Sequence, residues 1–253
     1  MSTDGPKERS YGRGPGDLRP THVVPGFVSS ATGSALIVQG ETRVICTASV
    51  EESVPRWMKG KGTGWVTAEY GMLPASTGER KRRDKGGKQD GRSVEIQRLI
   101  GRALRGVVDL AALGERTVAI DCDVLTADGG TRCASITGAQ VAFERAVRSL
   151  IADGLLERSP LTGTVAAVST GVVGGVPLLD LDYIEDSSAE VDANVVMTGD
   201  GALIEVQATA ERTPLSRAHL DELLSLAEAG VQQLRGVQAA AIEAPAQPAG
   251  APV

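Results

Sequence analysis

Strands in hairpins followed by a helix, and then the same order again, is the pattern that most limits how this chain can fold. Residues 33–39 and 42–50 are strand-like, and Gly40-Glu41 between them suits a two-residue hairpin turn. A third strand-like run covers 65–70. Residues 93–111 then place Ile96, Ile100, Ala103, Val107 and Ala111 at helical spacing. A strand over 117–125 and a helix over 139–151 complete the first half. The second half has hairpins over 164–173 with 176–181, closed at Gly174-Gly175, and over 191–197 with 203–210, closed around Gly199-Asp200-Gly201. Its helix, 216–235, carries Leu220, Leu223, Leu224, Ala227 and Val231 on one face. This order implies an α+β, mixed-sheet architecture. The residues themselves do not repeat and no linker divides the halves, so a single domain over 17–238 is expected. A polar, glycine-rich segment (1–16) and an Ala/Pro-rich tail (239–253) read as poorly ordered extensions.

Charge and residue usage exclude several classes. The formal net charge of −6 argues against a protein that coats nucleic acid over its whole surface. Any such contact must be local, and the loop from Glu79 to Arg92 offers it, with seven basic residues against three acidic ones. A loop of that kind holds phosphates without reading sequence, although a solvated charge run has the same composition. Arg98, Arg102 and Arg105 share a face of the following helix, where they would extend the patch or meet a partner subunit. The two histidines, His22 and His219, sit in unrelated contexts, which disfavours a His-dependent triad or a His metal site. Cys46, Cys122 and Cys133 lack zinc-type spacing and read as buried, reduced thiols. No signal peptide or membrane-length apolar run is seen, so a soluble cytoplasmic protein with no membrane partner is expected.

Two segments carry chemistry. Asp128-Gly129-Gly130-Thr131-Arg132 lies between a strand and a helix. A glycine pair there frees backbone amides at the helix start, beside a hydroxyl and a guanidinium fork, which suits a phosphate or similar anion. The acidic segment, 178–186 followed by Glu190 and Asp192, places Asp180 and Asp182 on one face of an extended strand, with Asp186 just beyond. Those carboxylates suit Mg²⁺ or Mn²⁺, and equally suit a solvated edge strand. No protein nucleophile stands out. If the bound phosphate is itself the nucleophile none is needed, and the chemistry is phosphorolysis.

Longer motifs add a resemblance. Residues 46–52 (Cys-Thr-Ala-Ser-Val-Glu-Glu), 64–74 (Gly-Trp-Val-Thr-Ala-Glu-Tyr-Gly-Met-Leu-Pro), 95–100, 128–138, 185–187 and 194–198 match ribonuclease PH, and the likeness runs from Arg19 to about Gln238. The chain thus resembles a family of phosphate-dependent 3′→5′ exoribonucleases that trim tRNA precursors. The resemblance implies a ribosomal-protein-S5-domain-2-like fold and a homohexameric ring built as a trimer of dimers. It implies phosphate binding by Arg92, Gly130, Thr131 and Arg132, and Mg²⁺-linked catalysis (Mn²⁺ as the alternative) at Asp180 and Asp186. It places tRNA contacts on Arg80 and Arg83, while a third family arginine, directly after Pro74, is Ala75 here. The implied reaction releases nucleoside 5′-diphosphates and runs backwards from them. A ring subunit that only binds RNA would be expected to lack the cradle arginines or the aspartates. A hydrolytic nuclease would release monophosphates and give Arg92 and Arg132 no clear task.

Overall fold

The computed structural model describes residues 8–82, 90–211 and 214–245. Five strands form the first sheet: β1 (Thr21–Pro25), β2 (Gly33–Gln39), β3 (Thr42–Glu51), β4 (Trp65–Met72) and β5 (Thr117–Thr126), in the order β1-β2-β3-β5-β4. Only the β4–β5 pair is parallel. Between these two strands run helix α1 (Gly91–Arg105) and a single turn, α2 (Leu110–Leu113). Helix α3 (Thr131–Ala152) leads to the second, wholly antiparallel sheet. It comprises β6 (Val165–Val173), β7 (Val176–Leu179), β8 (Val191–Thr198) and β9 (Leu203–Ala210), in the order β7-β6-β8-β9. The short helix α4 (Tyr183–Ser188) separates β7 from β8, and α5 (Arg217–Glu243) closes the chain.

Helix α3 holds the two sheets together. Apolar side chains surround it: Cys133, Ile136, Ala139, Phe143 and Val147 join Ile37, Cys46, Ile120 and Cys122 of the first sheet and Val165, Ala167 and Val196 of the second in one core. Residues 133–143 of this helix are buried on every side, whereas its last turns expose Arg148 and Ala152. Helix α1 adds Ile96, Leu99 and Ile100 to the same core, against Val66 and Ala68 of β4. Helix α5 covers the second sheet with Ala227, Val231 and Leu234 on Ala166, Val168 and Val195. All three cysteines are buried and unbonded, with Cys46 and Cys122 opposite each other on β3 and β5.

The α+β order is the expected one, with instructive differences at its ends. Helix α3 begins at Thr131 rather than 139, so its start coincides with the glycine turn. The 93–111 helix stops at Arg105, and its last apolar residues pass into the separate turn α2. The final helix continues eight residues beyond 235, burying Ala241 and Ile242, so the tail does not begin at 239. Nor is 8–16 a loose extension, because Arg9 and Arg13 bury their guanidinium groups among acidic side chains. Strand β7 ends at Leu179. Asp180 then turns into the left-handed region (φ 56°) and Asp182 caps α4, so the two do not alternate along one strand face.

Candidate functional site

The site is assembled where β5 gives way to α3. Gly129 and Gly130 both take positive φ, 74° and 65°. A Cβ on Gly129 would lie 2.6–2.9 Å from backbone atoms of Leu181, Asp182 and Tyr183, so the turn rests directly on the start of α4. Gly130 is the N-cap of α3, which directs the helix's first amides and the positive end of its dipole at the same point. Thr131 is buried there, its hydroxyl 2.9 Å from the phenol oxygen of Tyr70 on β4. Arg132 follows with its guanidinium fixed by two other elements. Its Nη1 donates to Gln207 Oε1 of β9 (2.6 Å) and Glu95 Oε1 of α1 (3.3 Å), and Gln207 Nε2 also donates to Glu95 (3.0 Å).

Arg92 approaches from the first turn of α1, its backbone N–H held by the N-cap carboxylate of Asp90. The charges of Arg92 and Arg132 both bear on Tyr70, whose pKa burial raises and these cations lower in part. Both also bear on Asp186 of α4. Much of Asp186 is exposed, yet surrounding protein removes enough water from its carboxyl to raise the pKa, against the pull of Arg92, Arg132 and Arg19. Asp186 lines a concavity with Ser187, Ala189, Asp192 and Glu211. The Asp192 carboxyl is raised too, by burial first and then by the negative charge of Asp186. Arg92 and Arg132 thus lie within electrostatic reach of the Asp186 carboxyl.

Asp180 is in a different situation. It is 1% exposed, and both of its oxygens are taken by Arg19. Oδ1 accepts from Nη2 (2.7 Å); Oδ2 accepts from Nε (3.1 Å) and from the backbone N–H (2.7 Å). Arg13 stands 4.0 Å from Oδ2 on the other side. Burial works against the Arg19 charge, but the hydrogen bonds and charge of Asp180 outweigh it and the arginine's pKa is raised.

The structure thus brings together Arg92, Gly130, Thr131, Arg132 and Asp186, and sets Asp180 behind them as a buried partner. Arg80 is exposed, at the start of the basic loop, and Arg83 lies outside the described residues. Among the described residues, no three acidic, histidine or cysteine side chains converge to cage a metal. Tyr70, Glu95, Gln207 and Arg19 are additions that sequence reasoning missed, while Asp192 belonged to the acidic segment without a role of its own. Tyr70 and Glu95 lie within quoted motifs, but only tertiary pairing shows what they touch. No helix among the described residues is long and apolar enough to cross a membrane.

Comparison with known proteins agrees with this fold. Residues 17–148 match the 3′ exoribonuclease family, domain 1, and residues 163–230 match the 3′ exoribonuclease family, domain 2. Among solved structures, rice (Oryza sativa) Rrp46 superposes with a TM-score of 0.75 at 18% identity, covering 93% of this chain and 100% of that one. The Archaeoglobus fulgidus exosome with RNA bound to the active site gives 0.74 at 23% identity, over 91% of this chain and 92% of that one. An archaeal exosome core gives 0.73 at 23%, over 92% and 91%. These likenesses establish the fold, which is of the ribosomal protein S5 domain 2 type.

Proposed function

The chain belongs to the 3′ exoribonuclease family, and from that premise we propose that it is a phosphorolytic 3′→5′ exoribonuclease of the ribonuclease PH kind, trimming tRNA precursors. One observation carries the reading: Arg132, in the first turn of α3 beside Thr131, and Arg92 of α1 are near enough to each other that both act electrostatically on Tyr70 and on Asp186. A hydrolase must also neutralise the scissile phosphate, but it needs no site for a free phosphate as nucleophile. An enzyme whose nucleophile is inorganic phosphate needs that cradle.

In this reading Arg92 and Arg132 neutralise the attacking phosphate, and the α3 amides with the Thr131 hydroxyl orient it. A phosphate oxygen attacks the last phosphodiester in line. The bond from phosphorus to the upstream 3′-oxygen breaks, that oxygen takes a proton, and a nucleoside 5′-diphosphate leaves. A phosphodiester is exchanged for a phosphoanhydride, so nucleoside diphosphates extend the RNA in reverse. The raised pKa of Asp186 suits it to deliver the proton when it is not ligating a metal.

Mg²⁺ or Mn²⁺ would neutralise charge on the scissile phosphate. Mg²⁺ is commonly held by one or two carboxylates together with substrate phosphates, and Asp186 fits that pattern. Asp180 does not, because arginine occupies both of its oxygens. RNA upstream of the cleaved bond would run over the basic loop, with Arg80 and Arg83 as contacts. A homohexameric ring is part of the proposal.

The deciding experiment gives purified protein, with Mg²⁺, an RNA labelled in its 3′-terminal nucleotide. Release of the labelled diphosphate only when inorganic phosphate is present is the expected result, lost in Arg92→Ala and Arg132→Ala. Monophosphate release without phosphate would mean hydrolysis. RNA binding with no release in either condition would mean a non-catalytic ring subunit.

A further inference from the structure

Asp180 and Arg19 form the most completely buried ion pair in the described residues, with side chains 1% and 0% exposed, yet no step above uses them. What Arg19 does with its remaining donors points to their task. Its Nη1 donates to the carbonyl of Asp128, and its Nη2 reaches the carbonyl of Gly129 at 3.5 Å. One guanidinium therefore spans from the Asp180 carboxylate to the two carbonyls that precede the α3 N-cap. A Cβ on Gly130 would lie 3.0 Å from the same Nη2, so the fit is close. Thr42 grips the turn from the opposite side, accepting from the Asp128 N–H (3.0 Å) and donating to the Gly129 carbonyl (2.8 Å).

Asp180 is in turn held firmly in its left-handed conformation. Its carbonyl accepts from Arg13 Nη1 (2.6 Å), and the preceding carbonyl of Leu179 accepts from Arg9 Nη2 (2.7 Å). Both arginines also pair with Glu185 of α4, at 2.6 Å and 3.2 Å. The segment 9–19 is thus a strap that fastens the end of β7, the start of α4 and the glycine turn to one another.

Resting on the phosphorolytic reading, we propose that Asp180 and Arg19 are positioning residues for the inorganic-phosphate cradle: Asp180 aims the Arg19 guanidinium, and Arg19 fixes the carbonyls of Asp128 and Gly129 so that the next amides face the anion. Asp180 acts through Arg19 and not as a metal ligand. A carboxylate that is 1% exposed and already accepts three hydrogen bonds from one buried arginine is a poor ligand for a hard cation, and diverting an oxygen to a metal would leave the arginine buried without its full partner.

The test compares full-length wild type with Asp180→Asn, Arg19→Lys and Asp186→Asn in three measurements. These are calorimetric binding of inorganic phosphate, binding of Mn²⁺ followed by its paramagnetic resonance signal, and hydrogen exchange in peptides containing the Asp128 amide. Asp180→Asn and Arg19→Lys are expected to weaken phosphate at least tenfold, to speed exchange at Asp128, and to leave Mn²⁺ affinity within about twofold. Asp186→Asn is expected to lose Mn²⁺ while exchange at Asp128 stays as in wild type. Should Asp180→Asn fail to fold, Arg19→Lys, which keeps the charge but not the fork, carries the test alone. Lost Mn²⁺ binding in Asp180→Asn, or unchanged exchange and phosphate affinity in Arg19→Lys, overturns the proposal. If wild type binds no phosphate but the two variants still loosen the turn, the phosphorolytic reading fails and the strap stands.

Discussion

Single residues set the geometry of the proposed anion site, and two substitutions probe it in different ways. Gly129 needs a positive φ and lies within 2.9 Å of α4 backbone at the position a Cβ would take. Alanine there incurs the left-handed penalty of about 1–2 kcal/mol and also forces the turn off α4. Gly129→Ala is therefore expected to lower unfolding free energy by at least about 1–2 kcal/mol in urea titrations, with phosphate affinity falling as well. Arg132 tests the chemistry without disturbing the backbone. Arg132→Lys keeps the charge but cannot donate to Gln207, Glu95 and an anion through one planar fork. Losing one charge-assisted hydrogen bond, worth about 1.5–3 kcal/mol, corresponds to a rise in the KM for phosphate of roughly ten- to hundredfold. Steady-state kinetics at saturating RNA would show it; an unchanged KM would remove Arg132 from the cradle.

At the scale of elements, the site depends on pairings between parts of the chain far apart in sequence. Gln207 on β9 links Arg132 of α3 to Glu95 of α1, and Arg102 of α1 bonds Glu205 beside it. Gln207→Leu is expected to raise the KM for phosphate severalfold while the melting temperature changes little, because Gln207 is only partly buried and its network reaches solvent. The outer face of the first sheet yields a pH prediction away from the site. Asp121 on β5 has its pKa raised, by burial first and then by the charges of Glu69 and Asp123. A raised acid binds its proton more tightly in the folded state. Stability therefore falls as pH climbs from the ordinary aspartate range through the folded pKa, and the deficit is constant above it. Asp121→Asn is expected to melt higher than wild type at pH 7 and to converge with it in acid, as read by a melting series across pH. The strands and helices behind these pairings were legible because apolar runs and glycine turns are local: 33–39, 203–210 and the turn at Gly174-Gly175 stand where those signals put them. Strand β1 and the work of Arg9, Arg13 and Arg19 were not legible. Their partners lie more than 160 residues away or on another strand, and a polar segment gives no periodic signal of the acids it will meet. The glycine turn at Gly129-Gly130 could be picked out because its signal is local too, whereas the pairing of Asp180 with Arg19 could not, because spacing along the chain does not show a partner 161 residues away.

For the whole molecule, the question is how a chain with a net charge of −6 engages a polyanion. The carboxylates Glu69, Asp121 and Asp123 occupy one face of the first sheet, whereas the basic run begins after β4 and ends at Arg92 in the first turn of α1. On the proposed function, like charge would disfavour RNA on that acidic face while the basic residues would guide it toward Arg92, so local charge would both bind and orient it. Each phosphate neutralised releases condensed counterions, and for a single strand the logarithm of affinity falls with the logarithm of salt by about 0.7 per contact. Arg80 stands at the near end of the run, with Ala75 where a further arginine would add a contact. Arg80→Ala should weaken binding of a tRNA precursor about equally whatever its 3′ sequence and flatten the salt slope by roughly 0.7–0.9. The KM for inorganic phosphate, and turnover of an oligonucleotide too short to reach the loop, should stay at the wild-type value. Binding isotherms between low and physiological salt, run beside phosphorolysis of the short substrate, separate the two effects. An unaltered slope would mean that RNA takes another route to the site, whereas a defect on the short substrate would place Arg80 inside the cradle and not on the path leading to it.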